Sequence, residues 1–312
     1  MRRVVKKFFK NKYRSIFEFG QKFGINILPQ HFYSTIPDIR YLKQNDFWLG
    51  RGSMIGVEMN SLDEQLQLAK TCCAVEKHRE LSLKNIYGKA VSENGEEGGF
   101  GVVEAEFLHC FIKFYKPKKI AQVGCGVSTA VILNAASEIN HSIELTCVEP
   151  YPSQYLSDKN NANEISLIVK KAQEVDIEVY TQLSEGDMLF IDSTHAVKPG
   201  SEVNFLMFEI LPRLKKGTVV HFHDIYFPFD YGRNLLSNDL FFWQENSLLH
   251  AFLIGNKKFK IMICQSMLHY KWTNELREIF KNYIPQENYY GLAKGKIAGK
   301  HFPASVYLKV VE

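Results

Sequence analysis

The sequence predicts an α/β chain built on a doubly wound, mostly parallel sheet, preceded by a largely helical extension. Three observations lead there. Short β-rich runs alternate with helical runs from Phe100 to about Tyr270. A glycine-bearing turn, Gly124-Cys125-Gly126-Val127-Ser128, follows the first β-rich run, and an acid, Glu149, ends the second. Later runs end on Asp192 and on His223-Asp224, so polar groups gather where the strands finish. In open α/β sheets, ligands bind beyond those carboxyl ends.

Residues 1–99 read as an N-terminal extension of helices and loops, a candidate lid or acceptor-binding region. It opens on Arg2, Arg3, Lys6, Lys7, Lys10, Lys12 and Arg14, with no acid before Glu18. Val4, Val5, Phe8, Phe9, Ile16 and Phe17 are interleaved. Such a segment is either a solvated basic helix or one that lies on an anionic membrane surface. A loop-like stretch runs from Leu28 to Asp38, and Tyr33 and Asp38 are expected to fold back over the site. A helix is expected over about residues 62 to 81, begun by the capping box Ser61-Leu62-Asp63-Glu64. The glycine-rich stretch from Ser92 to Gly99 marks the boundary of the extension.

Residues 100–312 supply the sheet. A helix near 103–115 stops before Pro117. Strand Ile120–Val123 leads through the glycine turn into a helix carrying Ala130, Val131, Leu133 and Ala136. Strand Leu145–Val148, a helix near 152–159 and a third strand near 165–169 follow. Met188–Ile191 is a fourth strand, covered by a helix near 203–214 that closes on Lys215-Lys216-Gly217. A fifth strand near 218–223, a helix near 241–254 and a sixth strand, Phe259–Cys264, complete the alternation. Residues 271–303 read as a basic, glycine-containing insertion (Lys294, Gly295, Lys296, Gly299, Lys300) before a last β-rich segment, 304–311. Laid antiparallel beside the sixth strand, that segment makes a seven-stranded sheet.

Bulk properties narrow the function. Hydrophobic content of 46% with 23% charged residues suits a globular protein with a real core. A net charge of +4 is too small to argue for a nucleic-acid partner, and none is expected. No early segment reads as a signal peptide, and no apolar run approaches the ~18 residues of a membrane span. Cys72, Cys73, Cys110, Cys125, Cys147 and Cys264 are scattered without zinc-like spacing, as expected of reduced thiols in a cytoplasmic protein.

The strand ends carry the chemistry. Glycines at a strand-to-helix turn let a ligand approach bare backbone, and helix-start N–H groups favour electron-rich groups. An acid ending the next strand is placed to grip the two hydroxyls of a ribose. This is a nucleoside-binding half-fold. His221 and His223 alternate along one strand and share a face; His221 lies one pleat deeper and reads as a core histidine. His109, His141, His250, His269 and His301 belong to no constellation and read as structural.

The stretches Lys119–Thr129, Val148-Glu149-Pro150-Tyr151-Pro152, Gly186–His195, Val197–Asn204, Leu211–Leu214 and His221–Tyr231 carry a resemblance. Over roughly residues 100–270 the chain resembles the class I S-adenosylmethionine-dependent methyltransferases, with their Rossmann-like sheet. Within them it is similar to the Methyltransf_24 group, often found among glycan genes. The resemblance implies that Gly124, Gly126 and Ser128 face the methionine portion of S-adenosylmethionine, that Glu149 holds the ribose, and that Gln173 lies toward adenine. It implies that Asp192 sits beside the methyl-transfer point, with His195, His223 and Asp224 as the base constellation. Asp192, His223 and Asp224 are also the candidate ligands of a divalent metal such as Mg. The acceptor implied is a sugar, glycan or other small polar molecule. Such a protein would be cytoplasmic, peripheral at the inner membrane face if its basic start binds lipid, and a candidate homo-oligomer. An NAD(P)-dependent oxidoreductase and a non-catalytic nucleoside-binding module are the rival readings; Ser128, where a dinucleotide fingerprint has its third glycine, disfavours the first.

Overall fold

The computed structural model describes residues 13–28, 32–45, 47–76, 81, 83–95, 98–230, 240–286 and 299–312. The basic run at 2–12, Glu96, Glu97, Tyr231, Lys294, Gly295 and Lys296 lie outside the described residues. The chain divides into two compact units, Met1–Trp48 and Leu49–Glu312. In the first, residues 13–21 are helical and Asp38 caps a short helix, Ile39–Gln44, by accepting from the Arg40 and Tyr41 N–H groups. Gly20 is the one buried residue among those described in this unit.

The second unit begins at Leu49, upstream of the boundary expected at residue 99. The reason is burial. Helix Leu62–Cys73 sets Leu66, Ala69, Cys72 and Cys73 into the same core as Phe107, Phe111 and Tyr307. Isolated bridges also join Val57 to Ile254 and Met59 to Ile261. The capping box forms as expected, with Ser61 accepting from Glu64 N–H and Glu64 accepting from Ser61 N–H.

Seven strands form one sheet: β1 (Lys119–Val123), β2 (Glu144–Val148), β3 (Ser166–Ile168), β4 (Met188–Ile191), β5 (Val219–Phe222), β6 (Phe259–Cys264) and β7 (Val306–Val310). Their order is β3-β2-β1-β4-β5-β7-β6. The first five pair in parallel, while β7 runs antiparallel between β5 and β6. A dinucleotide-binding sheet has strand order 3-2-1-4-5-6 with no inserted strand. The reversed β7 separates this sheet from that rival.

Both faces are buried, so the central strands read as continuous apolar runs rather than alternating ones. Ile120, Met188, Phe190 and Tyr307 enter one core, and Ala121, Leu189, Ile191 and Leu308 the other. Helix Val102–Tyr115 and helix Val127–Glu138 cover the first face. The helix expected over 203–214 is α-helical only at Glu202–Phe205, then widens to a π turn at Leu206–Ile210 and tightens at Leu211–Arg213. Pro212 has no N–H for the ordinary ladder and its ring crowds the preceding turn, which accounts for the shift. The segment 271–303 is more than an insertion: helix Thr273–Ile279, Phe280 and Tyr283 bury into the first core.

Candidate active site

The three central strand tips are tied together before any ligand is considered. The Gly124 N–H donates to the Val148 carbonyl (3.2 Å), and the Asp192 N–H to the Val123 carbonyl (2.9 Å). Gly124 has φ +78°, and a Cβ there would run into the Asp192 carbonyl oxygen. Glycine is required at 124 by this crossing as much as by a ligand. Gly126 is extended, and a Cβ there would meet only the Asn94 side chain, at 3.2 Å.

Beneath the turn, Gln122 donates to Ser128 Oγ (2.9 Å) and accepts from Thr129 Oγ1 (3.1 Å). Thr129 Oγ1 in turn accepts from the Gly126 N–H (3.1 Å). Glu149 accepts from the Cys125 N–H (3.2 Å) through one oxygen and from the Tyr151 N–H (2.9 Å) through the other. Backbone donors at both oxygens fix the carboxylate at the edge of the turn.

A pocket of about 210 Å³ opens here, lined by Gly124–Ser128, Glu149 and Asp192. Asn94, Gly98, Gly99 and Phe100 complete its wall. Sequence reading missed these four as site residues, because a glycine-rich loop has many ordinary uses. Gln173 is not among the lining residues; its amide donates to the Gly200 carbonyl (2.8 Å). The cradle fits a nucleoside-bearing cofactor: a bare turn, a helix start and one anchored acid at its rim.

Next to the pocket, the ends of β4 and β5 bring Asp192, His195, His223 and Asp224 together. His195 Nε2 lies 3.5 Å from Asp192 Oδ1 and 3.6 Å from Asp224 Oδ2. His195 Nδ1 bonds Glu245 Oε2 at 2.7 Å, a partner that sequence reading missed because it arrives on a helix 50 residues away. The Trp243 ring covers His195 with centroids 4.5 Å apart. His195 and Asp224 both adopt left-handed backbone, with φ +58° and +55°. For non-glycine residues that costs of order 1–3 kcal/mol each, and such strain concentrates at functional sites.

His223 Nε2 is 3.7 Å from Asp224 Oδ1, and its ring packs on Phe100 of the pocket wall at 4.7 Å. Its Nδ1 meets Ser305 Oγ (3.2 Å), which also meets His221 Nε2 (3.0 Å). His221 is fully buried and stacked on Phe190, as expected of a core histidine.

Burial works against charge on both site histidines, but the surroundings overcome it. Hydrogen bonds to Asp192 and Glu245, with the charges of Glu245 and Asp224, hold His195 well above its ordinary value. Asp224, Asp192 and Glu104 raise His223. Burial pushes His221 well below. His223 is therefore the donor to Ser305, whose hydroxyl donates on to neutral His221.

The implied metal does not fit. Asp192, His223 and Asp224 do not bring three ligand atoms together, and the His195 ring stands between the two aspartates. Among the described residues that convergence is met by Glu76, His109 and Glu138. There Lys84 already bonds both glutamates (2.9 and 2.7 Å), as does Lys113, making an ion-pair network.

Sheet order and strand-end chemistry together are those of a Rossmann-like nucleoside-binding domain with a reversed seventh strand. Residues 121–225 match the family model Methyltransf_24, described as a methyltransferase domain, and that segment is one. An uncharacterized protein of Archaeoglobus fulgidus is 29% identical over 171 residues, spanning 50% of this chain and 73% of that protein. Among solved structures, the chain is similar to the SAH-bound methyltransferase PaMTH1 of Podospora anserina (TM-score 0.41, 11% identity, 92% of this chain and 100% of that one). It is also similar to the O-methyltransferase TomG of Streptomyces achromogenes, solved with SAM (TM-score 0.41, 13% identity, 81% of this chain and 100% of that one).

Proposed function

We propose that the chain methylates a hydroxyl oxygen of a small polar acceptor, best a sugar or glycan unit, in the cytoplasm. The observation that carries this reading is the pairing of Asp192 and Asp224, whose side chains are 21% and 24% exposed, with buried imidazoles directly behind them. Exposed carboxylates accept hydrogen bonds from hydroxyls, and a hydroxyl must lose its proton to become a nucleophile. Trp243 and Phe241, stacked at 5.3 Å beside this mouth, offer an apolar face suited to a sugar ring.

In this reading Gly124, Gly126 and Ser128 line the methionine side and Glu149 holds the ribose. Bound S-adenosylmethionine supplies an electrophilic methyl carbon. Asp192 orients that end of the pocket, Asp224 aligns the acceptor hydroxyl, and His223 receives its proton. His195 stays with its carboxylates. A positioned base contributes about 10²–10⁴-fold.

The test uses S-adenosylmethionine with a labelled methyl group and a panel of sugars, polyols, primary amines and thiols. Transfer to hydroxyl acceptors is expected, in ether linkages stable to base. Labelling of amines or thiols alone would overturn the assignment.

We also propose that the first unit touches anionic membrane surfaces. Its first 48 residues hold ten basic and three acidic side chains, so the remainder of the +4 chain is net acidic. Phe19, Phe23 and Phe32 are 62%, 67% and 88% exposed. Basic charge beside exposed aromatics suits an anionic interface.

A further inference from the structure

We infer that Glu245 is a positioning residue that holds the His195 ring between Asp192 and Asp224, in the place a divalent ion would have to sit. This rests on the hydroxyl-methylation reading for its function, but not for its geometry.

His195 is gripped twice. Its carbonyl accepts from the N–H groups of Gln244 and Glu245 (3.0 and 3.1 Å) at the start of helix Glu245–Leu253. Its Nδ1 meets Glu245 Oε2 at 2.7 Å, on a carboxylate that is 1% exposed. The second oxygen, Glu245 Oε1, is buried without a hydrogen-bond partner, so the carboxylate has His195 as its bonded group. With Trp243 against one side of the ring, the imidazole has little freedom to turn.

The other ring nitrogen then faces two more carboxylates, at 3.5 and 3.6 Å. Held through Nδ1, the ring stands in the gap between Asp192 and Asp224. Among the described residues no lysine or arginine ion-pairs with Asp192, Asp224 or Glu245; all three carboxylates face the His195 ring, and Asp224 also faces His223 and accepts from the Tyr226 hydroxyl. A metal ion between the aspartates would have to expel the ring. Through the ring, Glu245 sets the spacing of the two carboxylates that meet the acceptor and the methyl group.

The experiment uses the full chain. Calorimetric titration of the wild-type protein with MnCl2 and MgCl2 is expected to show no stoichiometric uptake. The NMR signal of the His195 Nδ1 nitrogen is expected to show its hydrogen bond to Glu245. Glu245→Gln should keep S-adenosylhomocysteine affinity within about twofold, shift the His195 signals and lower kcat at least tenfold, with Glu245→Asp restoring part of both. Stoichiometric Mn²⁺ binding that Asp192→Asn abolishes, or unchanged His195 signals in Glu245→Gln, would overturn the inference. Titration and NMR decide it even if every hydroxyl acceptor fails, so the two readings stand or fall separately.

Discussion

Ser305 decides what two histidines do. Its hydroxyl lies between His221 and His223, donating to the one and accepting from the other, and this leaves His223 Nε2 facing Asp224. His223 works as a base only when neutral, and Asp224, Asp192 and Glu104 raise its value, with nearby His195 opposing them. The rate of methyl transfer should therefore climb with pH above the ordinary histidine value of about 6.5. His223→Ala should lose at least a hundredfold in kcat and lose that climb, with S-adenosylhomocysteine affinity nearly unchanged by calorimetry. The sign for stability is the reverse. Both site histidines bind protons more tightly folded than unfolded, so their contribution is full below about 6.5 and is lost as pH rises through the folded values. The urea midpoint should fall over that range, and fall less in His195→Gln.

Elements place these atoms. The chain leaves β4 and β5 into left-handed residues, His195 and Asp224, which turn both side chains back across the sheet edge. Helix starts do comparable work elsewhere. Ser61, Ser153 and Ser201 each cap a helix by accepting from an N–H three residues on. Ser61→Ala should cost ~1 kcal/mol, since it removes one half of a capping box. The check is a denaturant melt, with S-adenosylhomocysteine binding expected to stay at wild-type strength because Ser61 lies outside the pocket. Strand and helix identities were legible from runs such as Met188–Ile191, whose burial on both faces demands continuous apolar residues. The π turn at Leu206–Ile210 was not, since a lone proline signals a disruption without saying which form it takes.

Charge is distributed at the scale of the whole molecule. The first 48 residues carry all of its net positive charge, while Leu49–Glu312 buries the sheet and the site. No helix among the described residues is long and apolar enough to cross a membrane. The full chain should co-sediment with phosphatidylglycerol vesicles and not with phosphatidylcholine vesicles, and binding should weaken as salt is raised. Phe19→Ser with Phe23→Ser should reduce it. Equal binding to both vesicle types would remove the electrostatic part of this proposal.

The sequence by itself determined the strand alternation, the glycine turn and which strand ends are polar, because backbone periodicity and turn chemistry are local. Asp192, His195, His223, Asp224 and Glu149 were legible for that reason. Tertiary structure alone decided who their partners are. Glu245, Ser305 and Asn94 reach the site from 50, 82 and 31 residues away respectively, measured from His195, His223 and Cys125. No short-range pattern encodes such meetings. The same packing sets proton affinity: carboxylates around the His195 ring hold it well above its ordinary value, whereas the same residue read in sequence is only a histidine.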